Sequence, residues 1–176
     1  MRVLVSADFH ACRAAIKLAN ATDGPFYVRM GRAKVPQVYS EEVELKLGGS
    51  FVLREGADVT IIANGVEVNE ALIAAEKLAE QGVSAEVIDA YSVKPLDVDT
   101  IVASASKTGK VVVCEEHSVY GGLCSAVAEV LSQECPCKTK FVAVKDTFGT
   151  SAEFEELMDV FELDSKAILN AVQALL

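Results

Sequence analysis

The sequence predicts an α/β fold, a mostly parallel sheet covered by helices on both faces and preceded by an incomplete α/β fragment. Three observations predict it. Strand-like and helix-like stretches alternate along most of the chain, the order expected of βαβ units with right-handed crossovers. Val111, Val112 and Val113 form a continuous apolar run instead of an alternation, which marks a strand buried on both faces. Between Gly31 and Gly49 the rhythm stops: GRAKVPQVYSEEVELKLGG has no period, a proline and a charged run from Glu41 to Lys46. The reading therefore divides the chain into an incomplete piece at 1–32, a linker at 33–50 and a full domain at 51–176.

Taken in order, VLVSAD reads as a strand ending at Asp8, which is placed to cap a helix from His10 to Ala19 with Ala11, Ala15, Ile16 and Ala19 on its inner side. Asp23-Gly24-Pro25 is a turn and Phe26 to Arg29 a short strand. Two strands and one crossover helix cannot cover both faces of their own sheet, so this piece reads as the tail of a larger domain. After the linker, Phe51 to Leu53 and the wholly apolar Val59 to Ala63 are strands. Val68, Ala71, Leu72, Ala75, Leu78 and Ala79 recur at three- and four-residue spacing, and Gly82 stands where such a helix ends. Ala85 to Asp89 follows as a strand, Lys94-Pro95-Leu96-Asp97 breaks the chain, and Asp97 or Asp99 caps a helix holding Ile101, Val102 and Ala105.

The valine run comes next. Glu115, Glu116, His117 and Ser118 are expected where that strand ends, and Gly121-Gly122 turns the backbone into a helix with Leu123, Ala126, Val127, Val130 and Leu131 on one side. Phe141 to Val144 is a strand. Thr150-Ser151-Ala152-Glu153 reads as a capping box before a helix with Phe154, Leu157, Met158 and Phe161, and Asp164 caps a last helix with Ile168, Leu169, Val172 and Leu175.

Composition bounds the function. A chain of 176 residues, 51% hydrophobic and 24% charged, can bury a substantial core. Its net charge of −10 argues against nucleic acid or an anionic membrane as partner, because both need clustered Lys and Arg. No stretch approaches the roughly 18 apolar residues of a membrane span, and the opening MRVLV is too short for a signal peptide, so the reading is cytosolic. Five cysteines without CxxC spacing fit reduced thiols better than a disulfide framework. Cys135-Pro136-Cys137 lacks a nearby His or second pair and reads as a solvated loop rather than a metal or redox site.

Candidate chemistry is sparse. The chain has two histidines and none of the common nucleotide-binding, hydrolase or zinc-protease patterns. His10, in a first helical turn, reads as solvated or locally bonded. His117 falls at the carboxyl edge of the sheet, where ligands of α/β proteins lie, with Glu115 and Glu116 beside it. Its two readings are a site edge and, with more weight, a turn or subunit contact. Gly121-Gly122 before a helix offers backbone N–H groups to an anion, although tight packing explains the pair equally well. Arg29, Arg32 and Lys34 form the one local basic cluster, with the guanidinium fork that suits phosphate oxygens; an exposed linker charge is the alternative.

Several stretches together resemble the C-terminal third of a transketolase: GPFYVRMGR followed by VP, the block REGADVTIIANGVEVNEALIAAEKLAEQGVSAEVIDAYSVKPLD, VVVCEEHSVYGGLCSAVAEVL, and KDTFGTSAEFEEL. The likeness covers essentially the whole chain in order. It is similar to short split-type transketolases more than to pyruvate dehydrogenase β-subunits or deoxyxylulose-phosphate synthases, mainly through EEHSVYGGL and DTFG.

The resemblance implies an enzyme that moves a two-carbon ketol unit between sugar phosphates with thiamine diphosphate and Mg²⁺. It implies that residues 1–32 are the tail of the pyrimidine-binding domain and 51–176 the transketolase C-terminal domain. The cofactor-activating glutamate, the aromatic pyrimidine pocket and the metal motif of the family have no counterpart here. No catalytic, cofactor or metal residue is thus assigned, and the chain alone is expected to be inactive. Its implied partners are the upstream thiamine diphosphate-binding domains, on the same gene product or a separate subunit, and a second copy in a homodimer. Arg32 in MGR takes the position of the family's substrate-phosphate arginine; Arg29 has no such match. Cys124 departs from the glycine common in GGLGSAV. The alternatives are a non-catalytic dimerisation or regulatory module, a deoxyxylulose-phosphate synthase, or an α-ketoacid dehydrogenase β-subunit.

Overall fold

A computed structural model describes all of residues 1–176. The chain runs β1 (Arg2–Val5), α1 (Phe9–Asn20), β2 (Phe26–Arg29), β3 (Phe51–Arg54), β4 (Val59–Ala63), α2 (Glu67–Glu80), β5 (Ala85–Asp89), β6 (Ser92–Lys94), α3 (Val98–Thr108), β7 (Lys110–Ser118), α4 (Leu123–Glu134), β8 (Lys138–Val144), α5 (Phe154–Val160) and α6 (Ser165–Gln173). Two sheets result, a five-stranded one in the order β3-β5-β4-β7-β8 and a three-stranded one in the order β2-β1-β6. In the larger sheet β4, β5, β7 and β8 are parallel and only the edge strand β3 is antiparallel.

The valine run sits where its composition requires. Val112 packs with Ile61 and Val87 under α2 and α6, while Val111 and Val113 pack with Ile62 and Ile88 under α3 and α4. Alternate side chains enter opposite layers, so a strand clothed on both faces has no polar position to give up. Local signals hold wherever the cap chemistry is self-contained. Gly82 (φ +79°) ends α2, with Gly82 N donating to Ala79 O and Val83 N to Leu78 O, the paired bonds of a left-handed C-terminal stop. Asp8, Asp97 and Asp164 accept from the backbone N–H of Ala11, Thr100 and Ala167 at 2.9, 3.1 and 2.9 Å.

Four expectations are corrected. In α1 the inward stripe is Ala11, Ala14 and Ala15, and Ile16 is 52% exposed. Both stripes satisfy a 3.6-residue period, and Leu4, Phe26 and Val28 select the first. Helix α5 starts at Phe154, not after Thr150; Glu153 takes the N-cap and its N–H donates to the Glu156 carboxylate. Glu115 to Ser118 lie inside β7, whose register slips between Cys114 and Ser118, and not beyond it. Strand β6 falls on three residues with no strand signal and pairs antiparallel with β1, joining residues 1–32 to the rest.

The segment 33–50 contains no regular element but is fixed in place. The second oxygen of Asp8 accepts from Val38 N (3.0 Å) and Tyr39 N (2.9 Å), Gly48 N donates to Ser92 Oγ, and Leu45 is buried in a third small core with Leu4 and Tyr91.

Candidate functional site

The larger sheet changes direction of growth at β4: β5 is added on one side and β7 on the other. The crevice at the carboxyl ends of β4 and β7 is the ordinary ligand position of such sheets. Asn64, at the end of β4, and Glu115 and His117, at the end of β7, reach it, and a groove of about 670 Å³ runs from there along α4. His117 is exposed on the groove wall, its Nδ1 2.8 Å from the Ser118 carbonyl. Arg29 also enters this groove, 3.5 Å from Glu116.

The N-terminus of α4 is not an open anion site. Glu115, buried at the end of β7, turns its carboxylate onto it, accepting from Leu123 N and Cys124 N at 2.7 Å each. The positive end of the helix dipole is thereby neutralised by a side chain of the same chain. Gly122 is required for that arrangement, because a Cβ there would collide with the Glu115 carboxylate. Cys124, which departs from the glycine of GGLGSAV, turns its thiol into the core toward the Val113 carbonyl; burial, followed by the charge of Glu115, pushes that thiol well up. Burial likewise pushes the Cys114 thiol up.

The basic cluster does not converge. Arg29 turns into the groove, while Arg32 and Lys34 stand exposed on the irregular segment after β2. Lys34 borders a second hollow of about 440 Å³ with Ser6, Asp8 and Met30; Gly31 and Ala33, which flank Arg32, line it too. Arg32 makes no ion pair. His10 is held by Gln37, whose Nε2 donates to His10 Nε2 at 2.7 Å. Cys135 accepts a bond from Ser106 Oγ and Cys137 lies by Thr139, both half-buried.

Two buried acids without an ion pair escaped the sequence reading. Glu67, the first residue of α2, is fully buried with neither carboxylate oxygen partnered, and burial, with Glu70, Glu116 and Asp164 nearby, holds it well above the usual carboxylate range. Asp89, at the end of β5, is pushed up to about 7 by burial, opposed by the bond it accepts from Tyr39 Oη at 2.6 Å. Neither stands out in sequence, since each is an acid at an element boundary, where acids are usually solvated.

No three His, Cys, Asp or Glu side chains are gathered to hold a metal ion, so these residues do not form the divalent-metal site that the resemblance implies for a complete enzyme.

A mostly parallel, doubly covered α/β domain with a groove at its switch point defines the class, and comparison with known proteins makes it specific. Residues 48–168 match the model of the transketolase C-terminal domain, and the chain belongs to that family. It is 45% identical over 97% of its length to a 6-deoxy-6-sulfo-D-fructose transketolase subunit of Clostridium sp. (strain MSTE9), and 37% identical over 96% to an apulose-4-phosphate transketolase subunit of Phocaeicola vulgatus. Among solved structures it is similar to a split-gene transketolase described as an inactive β4 tetramer, with TM-score 0.96 and 45% identity over 99% of this chain. The chain spans about half the length of these relatives: 53% and 54% of the two subunits, and 57% of the solved chain.

Proposed function

We propose that this chain is the C-terminal portion of a transketolase that transfers a two-carbon ketol unit between sugar phosphates once assembled with the thiamine diphosphate-binding domains. The observation that carries the reading is the near whole-chain likeness to two transketolase subunits, each about twice its length. In this reading residues 1–32 complete a pyrimidine-binding domain, 33–50 link it, and 51–176 form the C-terminal domain, in a cytosolic homodimer. Thiamine diphosphate, with Mg²⁺, supplies the carbon nucleophile when bound and belongs to the partner domains.

This chain contributes Arg32. Its guanidinium, free of any carboxylate partner, is available to grip a substrate phosphate through a bidentate pair, which orients the sugar and discriminates against unphosphorylated analogues. Support for inactivity of the chain alone comes from the similar split-gene structure, whose β4 tetramer is described as inactive.

The test is reconstitution. The purified chain with thiamine diphosphate and Mg²⁺ is expected to show no ketol transfer, and coexpression with the complementary domains to restore it; turnover by the chain alone overturns the reading. In the assembly, Arg32→Ala is expected to raise the KM for phosphorylated donor and acceptor about tenfold or more, the loss of one or two charge-assisted bonds. An unchanged KM leaves Arg32 a linker charge. Substrate profiling separates this reading from other thiamine-dependent enzymes, since only a transketolase pairs a ketose phosphate donor with an aldose phosphate acceptor.

A further inference from the structure

Ser6 and Asp8, which follow β1, hold both ends of the segment that carries Arg32. At its start Ser6 N donates to the Arg29 carbonyl at 3.2 Å, and Ser6 Oγ donates to the same oxygen at 3.3 Å. At its end the Asp8 carboxylate serves two elements: Oδ1 caps α1 through Ala11 N, and Oδ2 accepts from Val38 N and Tyr39 N at 3.0 and 2.9 Å. Val35, Val38 and Tyr39 also pack against the largest core, and Gln37 holds His10. Tyr39 reaches on to the larger sheet, donating from Oη to Asp89 Oδ2 at 2.6 Å with its ring edge-on to Phe51. Residues 30–37 are thus a loop fastened to both parts of the chain, with Arg32 exposed within it.

This fastening has room for one negative charge. Asp8 answers its own with three backbone N–H groups. Asp89 is wholly buried, its Oδ1 meets no partner, and no Lys, Arg or His pairs with it. Its neighbours on β3 and β4, Phe51 and Ala63, are apolar. The titratable groups facing it are Tyr39 from the linker, Asp8 from the turn before α1 and Tyr91 beyond β5, none of which brings positive charge. Burial pushes Asp89 up to about 7, with Tyr39 opposing and Asp8 adding to the effect. Burial, then Asp89, push the Tyr39 phenol up, so it keeps its proton and donates. A proton on Asp89 Oδ1 leaves Oδ2 to accept from Tyr39; its loss sets a second, unanswered charge near Asp8.

Resting on the reading of Arg32 as a substrate-phosphate residue, we infer that Asp8, Tyr39 and Asp89 are positioning residues that form a clasp, holding the Arg32 loop in place while Asp89 carries a proton and loosening it when that proton leaves. Opening hydrates Asp89, which then ionises at its ordinary 3.8. The opening equilibrium is therefore lowest below about pH 4, rises as pH climbs towards 7 and levels off above it.

Hydrogen exchange on the chain itself tests the clasp. The Val38 and Tyr39 amides are expected to exchange faster than that of Ile61 in the core strand β4, through local opening. Their rate in wild type, divided by that in Asp89→Asn at the same pH, is expected to rise at least about tenfold from pH 5.5 to 7.5. The ratio cancels the pH dependence of the exchange chemistry and of His10. Asp8→Asn keeps an oxygen to cap α1 but turns an NH₂ toward Val38 N and Tyr39 N, so these amides are expected to speed up at least about tenfold more than Ile61. In the reconstituted assembly Asp8→Asn is expected to raise the KM for a phosphorylated donor about threefold or more at constant kcat. In an Arg32→Ala background it is expected to add nothing.

The proposal is overturned if Val38 and Tyr39 exchange no faster than Ile61, if the ratio is flat with pH, or if Asp8→Asn leaves the two amides protected. It is also overturned if Asp8→Asn frees them and leaves unchanged a KM that Arg32→Ala raises. An unchanged KM in Arg32→Ala itself sinks the functional reading, and the exchange data alone then decide the clasp.

Discussion

The contact between Glu115 and the start of α4 makes a quantitative claim. In Glu115→Ala two buried backbone N–H groups, Leu123 and Cys124, lose charge-assisted partners at 2.7 Å. A buried donor left unmet costs about 1–3 kcal/mol, and water entering the vacated space recovers part of it, so the expected loss is about 3 kcal/mol. For a chain of this size that lowers Tm by about 6–12 °C. Gly122→Ala attacks the same contact from the other side: the new Cβ collides with the carboxylate, an overpacking cost of about 1–3 kcal/mol. The two costs share one cause, so they do not add. In the Glu115→Ala background Gly122→Ala is expected to cost less than about 0.5 kcal/mol, a coupling of about 1 kcal/mol or more. Urea denaturation of the four proteins of this cycle measures it. If Gly122→Ala costs the same in both backgrounds, the carboxylate does not lie over the helix end and the account of the glycine pair is wrong.

Asp89 predicts a pH dependence: its folded pKa, about 7, lies above the ordinary 3.8, so the native state holds a proton that the unfolded chain releases between those values. Stability is therefore fully present below about pH 4 as far as this group is concerned and falls as pH rises to about 7, by roughly 4 kcal/mol in all. The difference between wild type and Asp89→Asn in urea midpoint, followed from pH 4.5 to 8, should grow in the variant's favour as pH rises; a constant difference refutes it. Gly56→Ala sets a Cβ against the Ala85–Glu86 backbone, which cannot move aside, and should cost at least about 2 kcal/mol by thermal melting. Native-state alkylation at pH 8 should label Cys12 and Cys135 first, Cys137 more slowly because partial burial pushes its thiol up, and spare the fully buried Cys114 and Cys124; mass spectrometry of the peptides reads this directly.

Much of the fold was legible where a few neighbouring residues settle the outcome. The valine run, the stripe of α2 closed by Gly82, and the caps at Asp8, Asp97 and Asp164 each follow from backbone chemistry within one or two turns, which a sequence displays directly. The stretches quoted for the transketolase likeness carried the family, because they record the whole domain in order. Arg32 was nominated from the same likeness and remains a proposal; the structure adds that it stands exposed and without an ion pair.

Tertiary structure decided the questions on which local rules are silent. The sequence allowed two stripes on α1, and contact with Leu4, Phe26 and Val28 turned Ile16 outward. A three-residue strand has too few positions to show a period, so only pairing with β1 reveals β6. The glycine pair before α4 left anion binding and tight packing equally open in the sequence, and Glu115, eight residues before Leu123, fills that helix end. Glu67 and Asp89 look like surface acids in the sequence and are buried in the structure, because burial is set by what other segments place over a residue. The chain by itself determined most of its elements and its family; which faces meet and which charges are already answered depend on residues far apart in sequence coming together.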